Sequence, residues 1–112
     1  MELLMIVLDS EEYFEKLIFI LTESEITDAT IVDSEGIGHF LAYEVPIFAG
    51  IRQFVGERKT ANKTIFAILK NKEVFSEIVK LLKREEIDFS KPGIGMIARL
   101  PIAEIIKPDK ER

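Results

Sequence analysis

The apolar run LLMIVL (residues 3–8), followed by Asp9 and Ser10, decides the fold of this chain. Six consecutive apolar residues match the length of a strand, and unbroken hydrophobicity is typical of a strand in the middle of a sheet. Asp9 or Ser10 can cap a helix, and apolar side chains recur at helical spacing as far as Ser24. The stretch therefore predicts a central strand that leads directly into an amphipathic helix.

The rest of the chain predicts three more strands and a second helix. That helix begins after Asn71, a candidate cap, and ends by Asp88. A short edge strand or helical turn is expected over residues 102–106. The strands are expected at residues 28–33, 64–69 and 96–100. This order predicts an α+β, ferredoxin-like βαββαβ domain over residues 1–112, with two helices on one face of an antiparallel four-stranded sheet.

Composition narrows the classes of function. The chain is 47% hydrophobic and 31% charged, which is typical of an ordered globular domain. It has no cysteine, which excludes disulfides and thiolate metal sites. A formal net charge of -5 argues against nucleic-acid binding. The apolar start lacks a basic segment and is too short for a membrane span, so we expect a cytoplasmic protein.

The second face of the predicted sheet has no helices to cover it. The strands carry too many apolar side chains for all of them to point toward the helices; examples are Leu4, Ile6, Ile31, Phe66 and Ile68. Exposed apolar faces are often sites of protein association. The sequence therefore predicts self-association through this face.

A long segment separates the second and third predicted strands. Over about residues 39–62, Pro46, Gly50 and Gly56 interrupt any regular element, although a short helix over residues 46–54 could begin at the proline. Loops of this length inside a compact domain are uncommon and are often functional. We expect a flexible, functional loop here and a polar tail over about residues 107–112.

Two glycine motifs suggest a family. EGIG (residues 35–38) is similar to the G-F-G motif that opens the T-loop of the nitrogen regulatory P-II proteins. GIGMIARLPIAEIIK (residues 93–107) resembles the G-D-G-K-I-F-x-L-P-V-x-x-x-x-R run of that family, which spans its B-loop, last strand and C-loop. The segment over residues 39–62 stands where the T-loop stands. The resemblance covers nearly the whole chain.

The resemblance implies a compact homotrimer with ligand sites in the clefts between subunits. In the family those clefts hold ATP or ADP, sometimes with an effector such as 2-oxoglutarate, and the T-loop regulates a transporter, enzyme or other partner. The small anionic ligand would meet residues carried over by position, with His39 beside the first motif. These residues are Thr30, Gly36, Gly38, His39, Gly93, Gly95 and Lys107.

The chain also departs from the family pattern. Met96 stands where the family has a lysine after the second glycine, and Ile94 stands in place of the acid between the glycines. Asp109 replaces the second C-loop arginine, and Phe66 replaces a glutamate on the third strand. Each change removes charge from the surroundings of a nucleotide. We therefore expect weak nucleotide binding or a different preferred ligand.

Other interpretations stay open at the level of sequence. The glycines can be plain turns at strand ends. His39 could ligate a metal with Asp33 or Glu35, as in a CutA-like divalent-metal-binding trimer of the same fold. An acylphosphatase-like enzyme is disfavoured because the segment after the first strand, Asp9 to Glu11, is acidic and would repel phosphate. No catalytic set of side chains stands out, so we expect no enzyme activity.

Overall fold

A computed structural model describes residues 1–26, 28–51 and 62–109 of the chain. Its four strands are β1 (Glu2–Leu8), β2 (Ala29–Ser34), β3 (Asn62–Leu69) and β4 (Gly95–Pro101). They form one antiparallel sheet in the order β2-β3-β1-β4. This order is compatible with a ferredoxin-like arrangement, and the predicted α+β class is confirmed.

Helices α1 (Phe14–Glu23) and α3 (Lys72–Arg84) cover one face of the sheet. The Asn71 side chain caps α3 as predicted, since its Oδ1 accepts a hydrogen bond from the Val74 backbone N–H at 3.2 Å. The predicted cap on α1 is wrong. A 3-10 helix (Glu11–Tyr13) precedes α1, and Ser10 makes no capping bond with its side chain. Asp9 instead accepts a hydrogen bond from the Asn62 side chain at 3.0 Å.

The hydrophobic core lies between the sheet and these two helices. Successive residues of a strand point to opposite faces, so alternate positions of β1 and β3 enter the core. They are Leu4, Ile6, Leu8, Ile65, Ala67 and Leu69, each at most 2% exposed. Burial of one such leucine or isoleucine stabilises the fold by roughly 1.5–3 kcal/mol, which makes this layer the main source of stability.

The opposite face of the sheet is apolar but not buried. The register pairs Met5 of β1 with Phe66 of β3 and with Ala98 of β4, so these side chains share that face. None of the apolar side chains on it is buried, and three of them, Val32, Met96 and Leu100, are 41–45% exposed. We call this surface the open face. It consists of Leu3, Met5, Val7, Val32, Phe66, Ile68, Met96, Ala98 and Leu100.

Most of the described residues between β2 and β3 are helical. A helix α2 (Ile37–Glu44) follows β2 almost directly, and a 3-10 helix (Pro46–Ile51) comes next. The expectation of a loop beginning at His39 is therefore wrong for residues 39–44, and the predicted helix at Pro46 is a 3-10 helix. Residues 52–61 of the expected loop lie outside the described residues, as do residues 110–112 of the tail.

Residues 102–106 form neither the predicted edge strand nor a helical turn. The Ile102 N–H donates to the Met1 carbonyl at 3.4 Å, which holds the C-terminal segment against the start of β1. Among the described helices, none is long and apolar enough to cross a membrane.

Candidate functional site

The first glycine motif forms the beginning of α2. Gly36 is the N-cap residue with φ -70° and ψ 148°, and its carbonyl accepts a hydrogen bond from the Phe40 N–H at 3.0 Å. An added Cβ at Gly36 would meet no atom within 4 Å, so the conformation does not require glycine there. Gly38 lies in the first turn of α2. The motif therefore starts a helix.

His39 is held in place by the residues four positions before and after it. Its Nδ1 lies 2.7 Å from Oε2 of Glu35, a distance at which a protonated Nδ1 donates a hydrogen bond to a carboxylate. The Tyr43 ring packs on its other side, with the ring centroids 5.0 Å apart. The second ring nitrogen, Nε2, is buried without a hydrogen-bond partner among the described residues. His39 is thus a half-buried, oriented imidazole.

The second glycine motif is a turn that packs on β1. Gly93 and Gly95 have φ of 86° and 135°, values that side chains rarely permit. The Ile94 carbonyl between them accepts hydrogen bonds from the Asp9 and Ser10 N–H groups, at 2.8 and 3.3 Å. A Cβ on Gly95 would lie 1.9 Å from the Val7 carbonyl oxygen. Gly95 is therefore required by the strand pairing itself.

Within one chain the two motifs lie at the same end of the sheet but at opposite edges. Ser34, the last residue of β2, is opposite Asn62, while Gly95, the first residue of β4, is opposite Leu8. Strands β3 and β1 stand between them, which places the motifs about 14 Å apart at about 4.8 Å per strand. Thr30 is exposed on the edge strand β2, opposite Phe66.

Lys107 lies at the other end of the sheet. It lines a cavity with Met1, which precedes β1, and with Lys70, which follows β3. Strand β1 separates this end from Gly95 by about 20 Å. The structure therefore does not bring the predicted site residues together in one chain, and any site that contains all of them needs more than one copy.

The cavity that contains Lys107 has a volume of about 1000 Å³, and we call it the tail cavity. The turn between α1 and β2 contributes Glu25 and Ile26, the end of β3 contributes Lys70, and the C-terminal segment contributes Ile105 and Lys107. Apart from Lys107, no pattern in the sequence groups these residues. They come together only because several strands and helices begin or end at this end of the sheet.

A smaller hollow of about 300 Å³ lies at the opposite end, beside the turn from β1 into the 3-10 helix. Carboxylates dominate its lining: Asp9, Glu11, Glu12 and Glu15, with Lys63 as the one cation among the residues described there. A phosphate would be repelled here, as the sequence predicts. Within the described part of the chain, no three His, Asp or Glu side chains come together as a metal site.

The carboxyl groups with shifted pKa values, Glu23 and Asp88, line neither cavity. The hydrogen bonds that shift them stabilise the fold. Arg84 donates two hydrogen bonds to the Glu23 carboxylate, at 2.8 and 3.1 Å, and these lower the pKa of Glu23 below its ordinary value. The side chain and backbone N–H of Ser90 both donate to Asp88, which lowers the pKa of that carboxyl group. The first pair joins the ends of α1 and α3, and the second closes the turn after α3.

Comparison of the chain with protein-family models gives no match. No curated protein sequence matches it either.

Proposed function

We propose that this chain is a P-II-like regulatory protein of the cytoplasm. It assembles as a homotrimer, binds a small anionic ligand such as ATP or ADP in clefts between subunits, and regulates a protein partner through residues 39–62. In this proposal the partner is a transporter or enzyme, by analogy with the nitrogen regulatory family, and the chain itself is neither an enzyme nor a nucleic-acid binder.

One observation carries the proposal: a sheet with the strand order β2-β3-β1-β4 leaves one broad apolar face uncovered. Phe66 and Met5 lie opposite each other near the centre of that open face, and Leu100 is 41% exposed at its margin. Apolar surface of this kind is stabilised by burial against a partner. A threefold assembly in which the open faces line the interior would bury this apolar surface.

The positions of the site residues also favour an assembly. Gly38 and Gly93 lie at opposite edges of the sheet, and Lys107 lies at its far end. A single copy cannot surround one ligand with all three, whereas edges of neighbouring copies can meet. A ligand at such a cleft would touch the base of α2 and could bias the conformation of the segment that follows, provided that it binds the two conformations with different affinity.

Met96 bears on which ligand binds. It pairs with Val7 and its side chain is 45% exposed on the open face, in the position where the family has a lysine. Loss of that cation removes a favourable contact with phosphate. We therefore expect nucleotide affinity weaker than in the family.

Light scattering and thermal shift test the proposal together. We expect three times the chain mass in solution and a rise in melting temperature with ATP or ADP, since a ligand that binds only the folded state stabilises it. 2-Oxoglutarate should be tested both alone and with each nucleotide. A stable monomer at micromolar concentration would overturn the assembly, and a trimer that responds to no nucleotide would overturn the ligand assignment alone.

A CutA-like divalent-metal-binding trimer is the second candidate, and His39 supports it. Metal-ligating histidines commonly donate their other ring N–H to a carboxylate, which is the relation between His39 and Glu35. Binding would require Nε2, buried here, to become accessible. Zinc and copper titrations of the wild type and His39→Gln separate the two candidates, because only the metal-binding protein loses its response in the variant.

A further inference from the structure

Two lysines of the tail cavity lack an acidic partner. Lys70 and Lys107 both line the cavity, and neither forms an ion pair with any residue in the described ranges. The Lys107 ammonium donates to the carbonyl of its neighbour Pro108 at 3.1 Å. Two lysines that form no ion pair with a described residue therefore line one cavity.

Three acids, Glu25, Asp28 and Asp109, line the same cavity. Of these, neither Glu25 nor Asp109 takes part in an ion pair with a described residue. The backbone of Glu25 is held in place, since it has φ 62° and its N–H donates to the Thr22 carbonyl at 3.0 Å, while the side chain is exposed. The cavity thus presents side chains of both charge signs.

Much of the remaining lining is apolar. Ile26 is 9% exposed and belongs to the core, while Ile68, Val74 and Ile105 contribute aliphatic surface from β3, α3 and the C-terminal segment. The volume of about 1000 Å³ is ample for a small organic molecule. An apolar floor with separate charged groups is the arrangement that orients an amphipathic ligand.

We propose that the tail cavity binds a zwitterionic small molecule with an apolar body, of the α-amino-acid class. A simple anion would meet Glu25, Asp28 and Asp109, and a simple cation would meet Lys70 and Lys107, so each would meet charges of its own sign. A molecule with a carboxylate, an ammonium group and an aliphatic side chain is complementary to all three parts. Glu25 and Lys70 take no part in the nucleotide site proposed above, and Lys107 is common to both sites.

Calorimetric titration with L-leucine and three matched compounds tests the proposal. N-acetyl-leucine lacks the ammonium charge, leucinamide lacks the carboxylate, and glycine lacks the apolar body. We expect L-leucine to bind and each of the others to bind at least about tenfold more weakly, since a charged hydrogen bond or a buried side chain contributes that much.

Variants locate the binding. Lys70→Gln and Glu25→Gln should each weaken L-leucine binding at least about fivefold, the loss of one charged contact. Lys80→Gln removes an exposed lysine of α3 outside the cavity and should leave it unchanged. Absence of L-leucine binding at about 10 mM overturns the proposal. So does equal binding of the blocked compounds, or full affinity in both cavity variants when circular dichroism shows that they are folded.

Discussion

The α-carbon of Gly95 faces the carbonyl oxygen of Val7 so closely that an added Cβ would lie 1.9 Å from that oxygen. Gly95 also has φ 135°, and it begins the strand that pairs with β1. Gly93, two residues earlier, has φ 86° but no atom within 4 Å of an added Cβ. The two glycines therefore serve different purposes, one steric and one conformational.

We expect Gly95→Ala to destabilise the fold by at least about 2 kcal/mol, because backbone strain and a clash with immobile backbone act together. Gly93→Ala is the matched control and should cost only about 1 kcal/mol, from strain alone. Urea unfolding of both variants measures the difference. Equal destabilisation would show that the close approach to Val7 has no energetic consequence.

Substitution by lysine should have different effects at Ile65 and Phe66, which are neighbours on β3. Phe66→Lys places a charge on the open face and should dissociate the assembly while the monomer stays folded. Ile65→Lys places it in the core, where Ile65 is fully buried, and should unfold the chain, since an unpaired buried charge costs several kcal/mol. Light scattering and circular dichroism distinguish these results. A Phe66→Lys variant of unchanged mass would remove the open face from the interface.

The cap of α3 gives a prediction independent of assembly. Asn71→Ala removes the hydrogen bond to the Val74 N–H and should lower the free energy of unfolding by about 1 kcal/mol. Ser10→Ala serves as the control, since Ser10 makes no side-chain capping bond and its replacement should matter by less than about 0.5 kcal/mol. A larger loss at Ser10 than at Asn71 would contradict the assigned caps.

The Glu23–Arg84 pair predicts a pH dependence. Hydrogen bonds from Arg84 lower the pKa of Glu23 in the folded state, so the pair contributes stability above the unfolded pKa and loses it as pH falls through the folded pKa. The melting temperatures of wild type and Arg84→Met should therefore differ at pH 7 and converge in acid. The pair is solvent-exposed, so the difference should be small and should shrink in high salt. A difference in melting temperature that widens as the pH falls would contradict this prediction.

Helix α2 should open more readily than the central strands. Among the described elements it packs chiefly on the following 3-10 helix, and Ile37 on its surface is 78% exposed. We expect amides of Ile37–Glu44 to exchange faster than those of β3, because local opening there uncovers little of the core. Deletion of residues 45–55 should then leave a folded trimer. Protection of α2 equal to that of β3, or unfolding on deletion, would make the segment structural.

The order of strands and helices could be predicted from the sequence because each element carries a local signal. LLMIVL is long enough only for a strand, and Asn71 followed by the apolar stripe of α3 is a helix signal within one turn. Helix α2 carries no such local signal. Glycines stand at positions 36 and 38, and no side chain caps the helix. Its residues 37–43 contain no Asp, Glu, Lys or Arg. The expectation of a loop at this position followed from that lack of local signal.

Other features depend on tertiary structure and cannot be predicted from local sequence patterns. Phe66 and Ile65 are adjacent and both apolar, yet the pairing register sends one to the open face and the other to the core. The sequence determined that Gly93 and Gly95 form a turn, but only packing on Val7 made Gly95 indispensable. The same is true of the tail cavity, where Glu25, Lys70 and Lys107 meet from distant parts of the chain. Their proximity follows from how the sheet is ordered, which depends on contacts between strands rather than on residues near each other in sequence.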